Sequence, residues 1–175
     1  MSERLTSDSG LRPVCTFRLG SRLHGIEVAH VREVSPCLPI TPVPQAPPAV
    51  RGLVNLRSRI HLALDPRPLL GLGRIEIGPD CRLVILKPGV APDLGLLVDR
   101  GGDIVHVESS QIESLAGSDA QAPGAPSASG LIAGACKLPG ELLLILDPTK
   151  LIDAVLGQFR SGGPAANGAA LENNP

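Results

Sequence analysis

Six prolines between positions 36 and 48 constrain the fold of this chain more than any other feature. They are Pro36, Pro39, Pro42, Pro44, Pro47 and Pro48. Proline lacks a backbone N–H and has a fixed φ, so a segment this rich in it is excluded from the interior of a sheet or helix. We therefore predict that 35–50 forms an extended, partly polyproline-like surface loop. The 18 prolines among all 175 residues also argue against a helical bundle.

The rest of the composition favours a folded protein and excludes several functions. Hydrophobic residues make up 43% of the chain, which is too many for a disordered or collagen-like protein. With two Phe and no Trp or Tyr, the chain lacks the stacking aromatics of a single-strand nucleic-acid binder. The net charge of -1 gives no support for any nucleic-acid partner.

Apolar runs on both sides of the proline-rich loop predict two sets of strands. The first set begins at Val14 and the second at Cys81, and both contain alternating and continuous apolar stretches. Asp147 and Pro148 then form the start signal of a short C-terminal helix, because Asp is a preferred N-cap and Pro a preferred first helical residue.

The two ends of the chain are polar and rich in small residues. We expect disorder at 1–12 and 158–175 and a folded region at 13–157. The beginning of the chain does not have the composition of a signal peptide, and no apolar run reaches the roughly 18 residues of a membrane span. These observations predict a cytoplasmic protein without direct membrane insertion.

Short motifs recur in the same order in the two halves of the chain. The matched pairs are Gly25–Val28 with Gly95–Val98, Gly52–Val54 with Gly130–Ile132, and Leu64–Pro66 with Leu146–Pro148. A repeat this long is typical of a duplicated small domain and not of a solenoid. We predict an all-β fold in which two small barrels of about five strands, at 14–72 and 81–157, pack together because each alone has a thin core.

Motifs for catalysis or for cofactor binding are not found in the sequence. It has no GxSxG nucleophile elbow, no phosphate-binding GxxxxGK[ST] loop and no CxxC pair. The cysteines are Cys15, Cys37, Cys81 and Cys136, and the histidines are His24, His30, His61 and His106. We expect reduced thiols, no cofactor and no enzymatic activity. A metal-binding sensor or enzyme that uses histidines from several strands is the remote alternative.

A basic stretch next to the proline-rich loop is the main candidate for binding. It contains Arg51, Arg57, Arg59 and Arg67. Such a stretch is either a solvated face or a patch that meets an acidic protein surface. For Arg57, two roles are open: a bidentate contact with a partner carboxylate, or an internal contact that ties the loop to its barrel.

The run from Ile40 to Arg57, ITPVPQAPPAVRGLVNLR, closely resembles the central signature of CheW-like proteins, the coupling proteins of bacterial chemotaxis. Similar stretches precede it at Phe17–Leu19 and Gly25–Val34 and follow it at Gly95–Asp99. The resemblance covers about residues 14–157. It implies two packed SH3-like five-stranded β-barrels around a shared apolar interface, and a non-enzymatic scaffold in signal transduction.

The resemblance also implies two partners. These are the regulatory domain of a CheA-like histidine kinase and the cytoplasmic tip of a methyl-accepting chemoreceptor, which the family joins in membrane-associated arrays. By position in the motif, Val31 and Gly52 belong to a receptor-facing groove between the barrels, and Arg57 is the signature arginine near it. Glu33 falls at a partner-binding position for which the sequence names no partner.

Four residues depart from the family pattern. Ser58 replaces a glycine, His24 replaces an aromatic residue, and His61 and Pro66 fall where the family has a strongly apolar strand. We expect a reshaped turn at Ser58, and weaker strand pairing or a weaker partner contact at His61 and Pro66. The alternative function is a divergent paralogue that binds one partner in a non-motility, gliding or surface-sensing pathway.

Overall fold

The computed structural model describes residues 10–74, 77–115 and 130–161. Its strands are β1 (Leu11–Leu19), β2 (Arg22–Glu27), β3 (Val31–Pro36), β4 (Val50–Leu56), β5 (Arg59–Leu64), β6 (Arg82–Leu86), β7 (Leu94–Val98), β8 (Arg100–Glu108), β9 (Ile112–Ser114), β10 (Ile132–Leu138) and β11 (Glu141–Leu146). The helices that lie wholly within these residues are two 3-10 turns, Val28–His30 and Ser109–Gln111, and the α-helix α1 (Pro148–Ser161). The predicted all-β class with one short C-terminal helix is confirmed.

The strands form two mixed sheets. The first sheet has the order β8-β1-β2-β11-β10-β9, and the second has the order β3-β6-β7-β5-β4. The contacts β2–β11 and β5–β7 are parallel, and the other pairings are antiparallel. Each sheet contains strands from both halves of the chain, so sheet membership does not follow a division into 14–72 and 81–157. The reason is that each half contributes one hairpin to the other half's sheet. The hairpin β1–β2 pairs with β11 of the second half, and the hairpin β6–β7 pairs with β5 of the first half.

The internal repeat is visible in the strand register. Gly25 of β2 lies opposite Ile145 of β11, and Gly95 of β7 lies opposite Ala63 of β5. The hairpin β4–β5 has a bulge before Gly52, and β10–β11 has the equivalent bulge at positions 132 to 134. Gly52 therefore corresponds to Gly134 in the fold. The sequence match of Gly52 with Gly130 was wrong, because the bulge and not the local motif sets the register.

Apolar side chains form three clusters, one for each sheet and one between them. The cluster within the first sheet includes Val14, Val107 and Leu143, and the cluster within the second includes Val54, Leu83 and Leu97. A larger shared cluster joins both sheets and α1. Its buried members include Phe17, Leu19, Ile26, Leu64, Leu86, Leu96, Leu146 and Leu151. Strands β6 and β7 are apolar on both faces because one face fills their own sheet's core and the other fills the shared core.

The start of α1 agrees with the sequence. The Oδ1 of Asp147 accepts the N–H groups of Thr149 at 2.9 Å and Lys150 at 3.3 Å, which confirms the predicted N-cap. The buried face of the helix includes Leu151 and Val155. The helix continues to Ser161, so residues 158–161 are helical and do not belong to a disordered tail.

Two other segments differ from the predicted boundaries. Strand β1 begins at Leu11, within the predicted N-terminal tail. The segment 109–115, predicted as helical turns, is one 3-10 turn followed by the short strand β9, which pairs with β10. The predicted loop at 117–129 and the chain ends at 1–9 and 162–175 lie outside the described residues.

Candidate partner-binding site

The hairpin β4–β5 ends in a two-residue turn formed by Arg57 and Ser58. Both residues have positive φ, 50° and 65°, and the flanking residues Leu56 and Arg59 are paired. Positive φ at both central residues is the signature of a type I′ turn, which favours Gly or Asn. Ser58 therefore occupies a left-handed position where glycine is the easier residue. The pairing of Leu56 with Arg59 holds both residues in this conformation.

Arg57 is paired with Glu33 on β3. Its Nη1 lies 3.1 Å from Oε2 of Glu33, and the two side chains are 76% and 22% exposed. The other carboxylate oxygen of Glu33 is buried without a hydrogen-bond partner in the described structure. Strands β3 and β4 are the two edges of the second sheet. The ion pair thus links β3 to the tip of the β4–β5 hairpin, which indicates that the sheet curls toward closure.

The two roles considered for Arg57 are compatible. The internal contact exists, although its partner is Glu33 on β3 and not the proline-rich loop. The high exposure of Arg57 leaves most of its guanidinium open to other molecules. Arginine is well suited to a second contact, because its planar fork carries five N–H donors.

Val31 lies two residues before Glu33, at the start of β3. It is half-buried and packs against the shared cluster, and its backbone is opposite Leu86 of β6. Its side chain therefore lies at a margin of the core that joins the two sheets. Its place in a receptor-facing groove stays a prediction.

Gly52 lies at the other end of β4. Its φ is 143°, and an added Cβ would meet Cγ2 of Ile40 at 2.7 Å and the carbonyl oxygen of Thr41 closer still. Thr41 and Leu53 exchange two backbone hydrogen bonds of 2.8 Å, which attach the proline-rich segment to β4. Gly52 and Arg57 are five residues apart on an extended strand, or about 17 Å at about 3.4 Å per residue. The structure therefore brings Val31, Glu33 and Arg57 to β3 and the hairpin tip, and leaves Gly52 apart.

The basic stretch is not an unpaired patch. Its ion pairs are Arg51 with Asp65 at 3.7 Å, Arg57 with Glu33 at 3.1 Å, Arg59 with Asp93 at 2.9 Å and Arg67 with Asp65 at 2.6 Å. Each arginine thus has an internal carboxylate. A partner that recognises this region meets paired arginines and not a field of unopposed positive charge.

A buried ion network was missed by the sequence analysis. Arg67 is 1% exposed and donates to both oxygens of Asp65 and to Oδ1 of Asp99. The Oδ2 of Asp99 accepts the backbone N–H of Gly20, in the turn between β1 and β2, at 2.6 Å. Burial lowers the pKa of Arg67, but the hydrogen bonds and charge of Asp65 and the charge of Asp99 outweigh it and raise the pKa above its usual value. The network joins the segment after β5 to the first sheet.

The predicted weakening of β5 by His61 and Pro66 is not observed. The ladder between β4 and β5 is continuous from the hairpin tip to the bulge, with His61 opposite Val54. Pro66 lies beyond the strand, and its carbonyl accepts the N–H groups of Leu69 and Leu70 at 3.1 Å. His61 is 1% exposed, and its Nδ1 has no hydrogen-bond partner in the described structure.

Within residues 10–74, 77–115 and 130–161, no three His, Cys, Asp or Glu side chains are placed to hold a metal ion together. The helices described there are also too short or too polar to cross a membrane. Arg57, on the second sheet, combines high exposure of its side chain with a backbone held in a tight turn.

Two sheets with a shared core and equivalent bulged hairpins define the class of duplicated β proteins. Residues 13–156 match the family model described as CheW-like domain, and the chain belongs to that family. The family consists of non-enzymatic adapter proteins of chemotaxis, which makes this chain an adapter and not an enzyme.

Several curated relatives support this assignment. The chain is 35% identical over 106 residues to the chemotaxis protein CheW of Rhizobium meliloti, covering 60% of this chain and 67% of that protein. It is 30% identical over 98 residues to the chemotaxis protein CheW of Bacillus subtilis, covering 56% and 62%. The match to the chemotaxis protein CheW of Thermotoga maritima is longer, with 26% identity over 142 residues, 81% of this chain and 88% of that protein.

A solved structure has the same fold. The scaffolding protein TtCheW from Thermoanaerobacter tengcongensis superposes with a TM-score of 0.67 at 23% identity, covering 80% of this chain and 86% of that chain. This similarity shows that the two sheets are the two SH3-like β-barrels of the family. The barrels predicted from the repeat are therefore confirmed, with their strands exchanged between the halves.

Proposed function

We propose that this chain is a coupling scaffold that joins the cytoplasmic tip of a methyl-accepting chemoreceptor to the regulatory domain of a CheA-like histidine kinase. In this role it acts in the cytoplasm, at membrane-associated receptor arrays, without a cofactor. Membership of the CheW-like family and the chemotaxis proteins among its relatives support the proposal. Weak individual contacts are sufficient, because many of them act together in an array.

The observation that carries the proposal is the geometry of Arg57. Its backbone is held in a left-handed turn, and its side chain is paired with Glu33 while remaining 76% exposed. Because its backbone is held in the turn and its guanidinium fork is planar, Arg57 loses less entropy per hydrogen bond than a lysine would when a partner carboxylate docks on it. We assign Arg57 and Glu33 to one partner-binding surface of the second sheet.

Val31 and Gly52 contribute to the receptor contact in different ways. Val31 is half-exposed at the margin of the shared core, where we expect an apolar helix of a receptor tip to pack. Gly52 acts indirectly, because its missing side chain allows Ile40 and Thr41 to approach β4. We therefore expect Gly52 to shape the groove without touching the partner.

The two barrels present different tips, which suits two different partners. The turn Arg57–Ser58 of the second sheet corresponds to Pro139–Gly140 between β10 and β11 of the first sheet. The two turn residues thus include a positive charge in one hairpin and no charge in the other, where Lys137 and Glu141 lie just outside the turn. This asymmetry allows a duplicated fold to bind two unlike surfaces at once.

A binding titration tests the proposal. The full chain is titrated with the kinase regulatory domain and with the receptor tip, first separately and then together. We expect binding to both partners at once. Arg57→Gln is expected to weaken one contact about tenfold, which corresponds to about 1.4 kcal/mol. Lys137→Gln is the matched control, because Lys137 is an exposed cation on the equivalent hairpin of the first sheet, with its side chain 82% exposed.

Each outcome of the titration has a distinct meaning. Binding to neither partner rejects the coupling function. Binding to one partner alone rejects it in favour of a divergent paralogue of another chemosensory pathway. Equal effects of Arg57→Gln and Lys137→Gln leave the coupling function standing and reject the role of Arg57.

A further inference from the structure

We propose that Cys37 and Cys81 form a reversible intramolecular disulfide that locks the base of the proline-rich segment to β6. The proposal is independent of the coupling function. It concerns two of the four thiols, since Cys15 and Cys136 lie in other surroundings on β1 and β10.

The strand register places the two cysteines opposite each other. In the antiparallel pair β3–β6, Val34 is opposite Val84 and Pro36 is opposite Arg82. One further step brings Cys37 opposite Cys81, and the N–H of Cys37 donates to the carbonyl of Cys81 at 3.2 Å. Opposite residues of antiparallel strands have Cα atoms about 4.5–5.5 Å apart. This range lies within the span of about 4.4–6.8 Å that a disulfide bridges.

The side chains also lie on the same side of the second sheet, because both belong to the apolar surroundings of its core. Each thiol donates to the carbonyl of the residue that follows it, Cys37 to Leu38 at 3.8 Å and Cys81 to Arg82 at 3.9 Å. Burial is the main cause that raises the pKa of Cys81 to about 12, and the neighbouring Cys37 thiol adds to the rise. Because only thiolates are nucleophilic, Cys81 does not react first with a reagent from solution.

Cys37 is the accessible member of the pair. It is half-buried, and it lines a surface groove of about 350 Å³ together with Pro39, Ile40 and Arg51. A low-molecular-weight disulfide can enter such a groove, whereas Cys81 is only 3% exposed. The pair thus consists of an outer thiol that meets the oxidant and an inner thiol that completes the bond.

The oxidant is a low-molecular-weight disulfide, RSSR. The Cys37 thiolate attacks one sulfur of RSSR, which breaks its S–S bond and releases RS⁻. Cys81 then loses its proton and attacks Sγ of Cys37, which releases the second RS⁻. The two protein thiols are oxidised and RSSR is reduced to two RSH, so the two electrons and two protons balance. Reduction by excess RSH reverses both steps.

The expected consequence is a more rigid loop base. Ile40 and Thr41, three and four residues after Cys37, lie against Gly52 and β4. A bond at Cys37 restricts the segment at the point where the β3–β6 ladder ends. Pairs of this kind in reducing compartments are typically transient and redox-sensing.

Mass spectrometry of the purified, reduced full chain tests the proposal with oxidised glutathione as the probe. We expect a monomer that loses two hydrogens, contains a peptide linking Cys37 to Cys81, and is restored by excess reduced glutathione. In the Cys81→Ser variant, we expect the reaction to stop at a stable glutathione adduct on Cys37. In the Cys37→Ser variant, we expect neither the adduct nor the internal disulfide. Cys136→Ala is the control and is expected to form the same linked peptide as the unmodified chain.

Three results would overturn the proposal. One is a glutathione adduct on Cys37 of the unmodified chain that never converts to an internal bond. Another is a link between two chains. The third is four free thiols after prolonged exposure to the probe. Because the measurement on the unmodified chain decides between these results, a variant that fails to fold does not leave the proposal untested.

Discussion

The guanidinium of Arg67 holds both carboxylate oxygens of Asp65, with Nε to Oδ1 at 2.6 Å and Nη2 to Oδ2 at 2.8 Å. Asp65 is 0% exposed, so each charge depends on the other for solvation. Through Asp99, the same guanidinium reaches the turn that contains Gly20 in the first sheet. One side chain thus connects the two sheets beside their shared apolar core.

We predict that Arg67→Ala lowers the free energy of unfolding by about 3 kcal/mol, because it removes both close hydrogen bonds to the buried carboxylate of Asp65 and leaves it only the longer ion pair with Arg51 at 3.7 Å. Urea denaturation followed by circular dichroism measures this change. Arg59→Ala is the matched control: Arg59 is 56% exposed beside Asp93, and its loss is expected to cost at most about 1 kcal/mol. Equal effects of the two substitutions would contradict a structural role for the Arg67 network.

Gly52→Ala is expected to destabilise the chain more than Gly134→Ala. An alanine at either position meets Cγ2 of an isoleucine at 2.7 Å, Ile40 in one case and Ile112 in the other. Only Gly52 also has a positive φ, 143°, and we expect this strain to add on the order of 1–3 kcal/mol. Melting temperatures of the two variants provide the comparison, and a larger loss for Gly134→Ala would refute the argument.

His24 is expected to make stability depend on pH in the mildly acidic range. Burial is the main cause that lowers its pKa, so the folded chain binds its proton less readily than the unfolded chain, whose His pKa is about 6.5. Between that value and the lower folded pKa, the unfolded state binds more protons. Stability therefore falls as pH falls through this window.

The variant His24→Phe tests this expectation. Phe stays uncharged and preserves the stacking on Phe17, whose ring centroid lies 6.5 Å from that of His24. Urea midpoints between pH 8 and pH 5 are expected to fall less for this variant than for the unmodified chain. His106→Gln removes an exposed histidine and is the control. A pH profile that His24→Phe leaves unchanged would count against the assignment.

Asp147 is expected to stabilise α1 at pH values above the range in which its carboxyl group titrates. Burial raises its pKa, but hydrogen bonds from the Thr149 hydroxyl and the N–H groups of Lys150 and Thr149 outweigh burial and hold the pKa below its usual value. A carboxyl group with a lowered folded pKa stabilises above the unfolded pKa of about 3.9. That contribution is lost as pH falls through the folded pKa.

Substitutions at Asp147 separate the cap from the charge. Asp147→Ala is expected to cost about 1 kcal/mol at pH 7, since it removes the acceptor of the cap. Asp147→Asn retains an acceptor without the charge, so its difference from the unmodified chain is expected to shrink below about pH 4. A difference that stays constant from pH 7 to pH 3 would show that the charge of Asp147 does not contribute.

A double-mutant cycle measures how strongly Glu33 and Arg57 interact within the chain. Because Arg57 is mostly exposed, we expect a coupling energy of about 0.2–1 kcal/mol between Glu33→Gln and Arg57→Gln. So small a value means that effects of Arg57→Gln on partner binding do not arise from a damaged fold. A coupling energy of about 3 kcal/mol would instead make Arg57 chiefly a structural residue.

Much of the local structure could be predicted from the sequence. The proline-rich segment, the N-cap at Asp147 and the apolar strands at β6 and β7 depend on backbone chemistry and on residues close in the chain. The segment 109–115 was predicted less well, because its short strand β9 exists only through pairing with β10. The likeness to a family pointed to Arg57, but its contact with Glu33 was not predictable, because the two residues lie on different strands.

The sequence by itself determined that this chain is a duplicated β protein of the CheW-like family, because motif order and proline positions are properties of the linear chain. Only the tertiary structure decided that β1–β2 and β6–β7 exchange partners and that Gly52 corresponds to Gly134. It also decided that Cys37 lies opposite Cys81. The physical reason is the same in each case: strand pairing between distant segments depends on non-local hydrogen bonds and shared burial, which no local periodicity specifies.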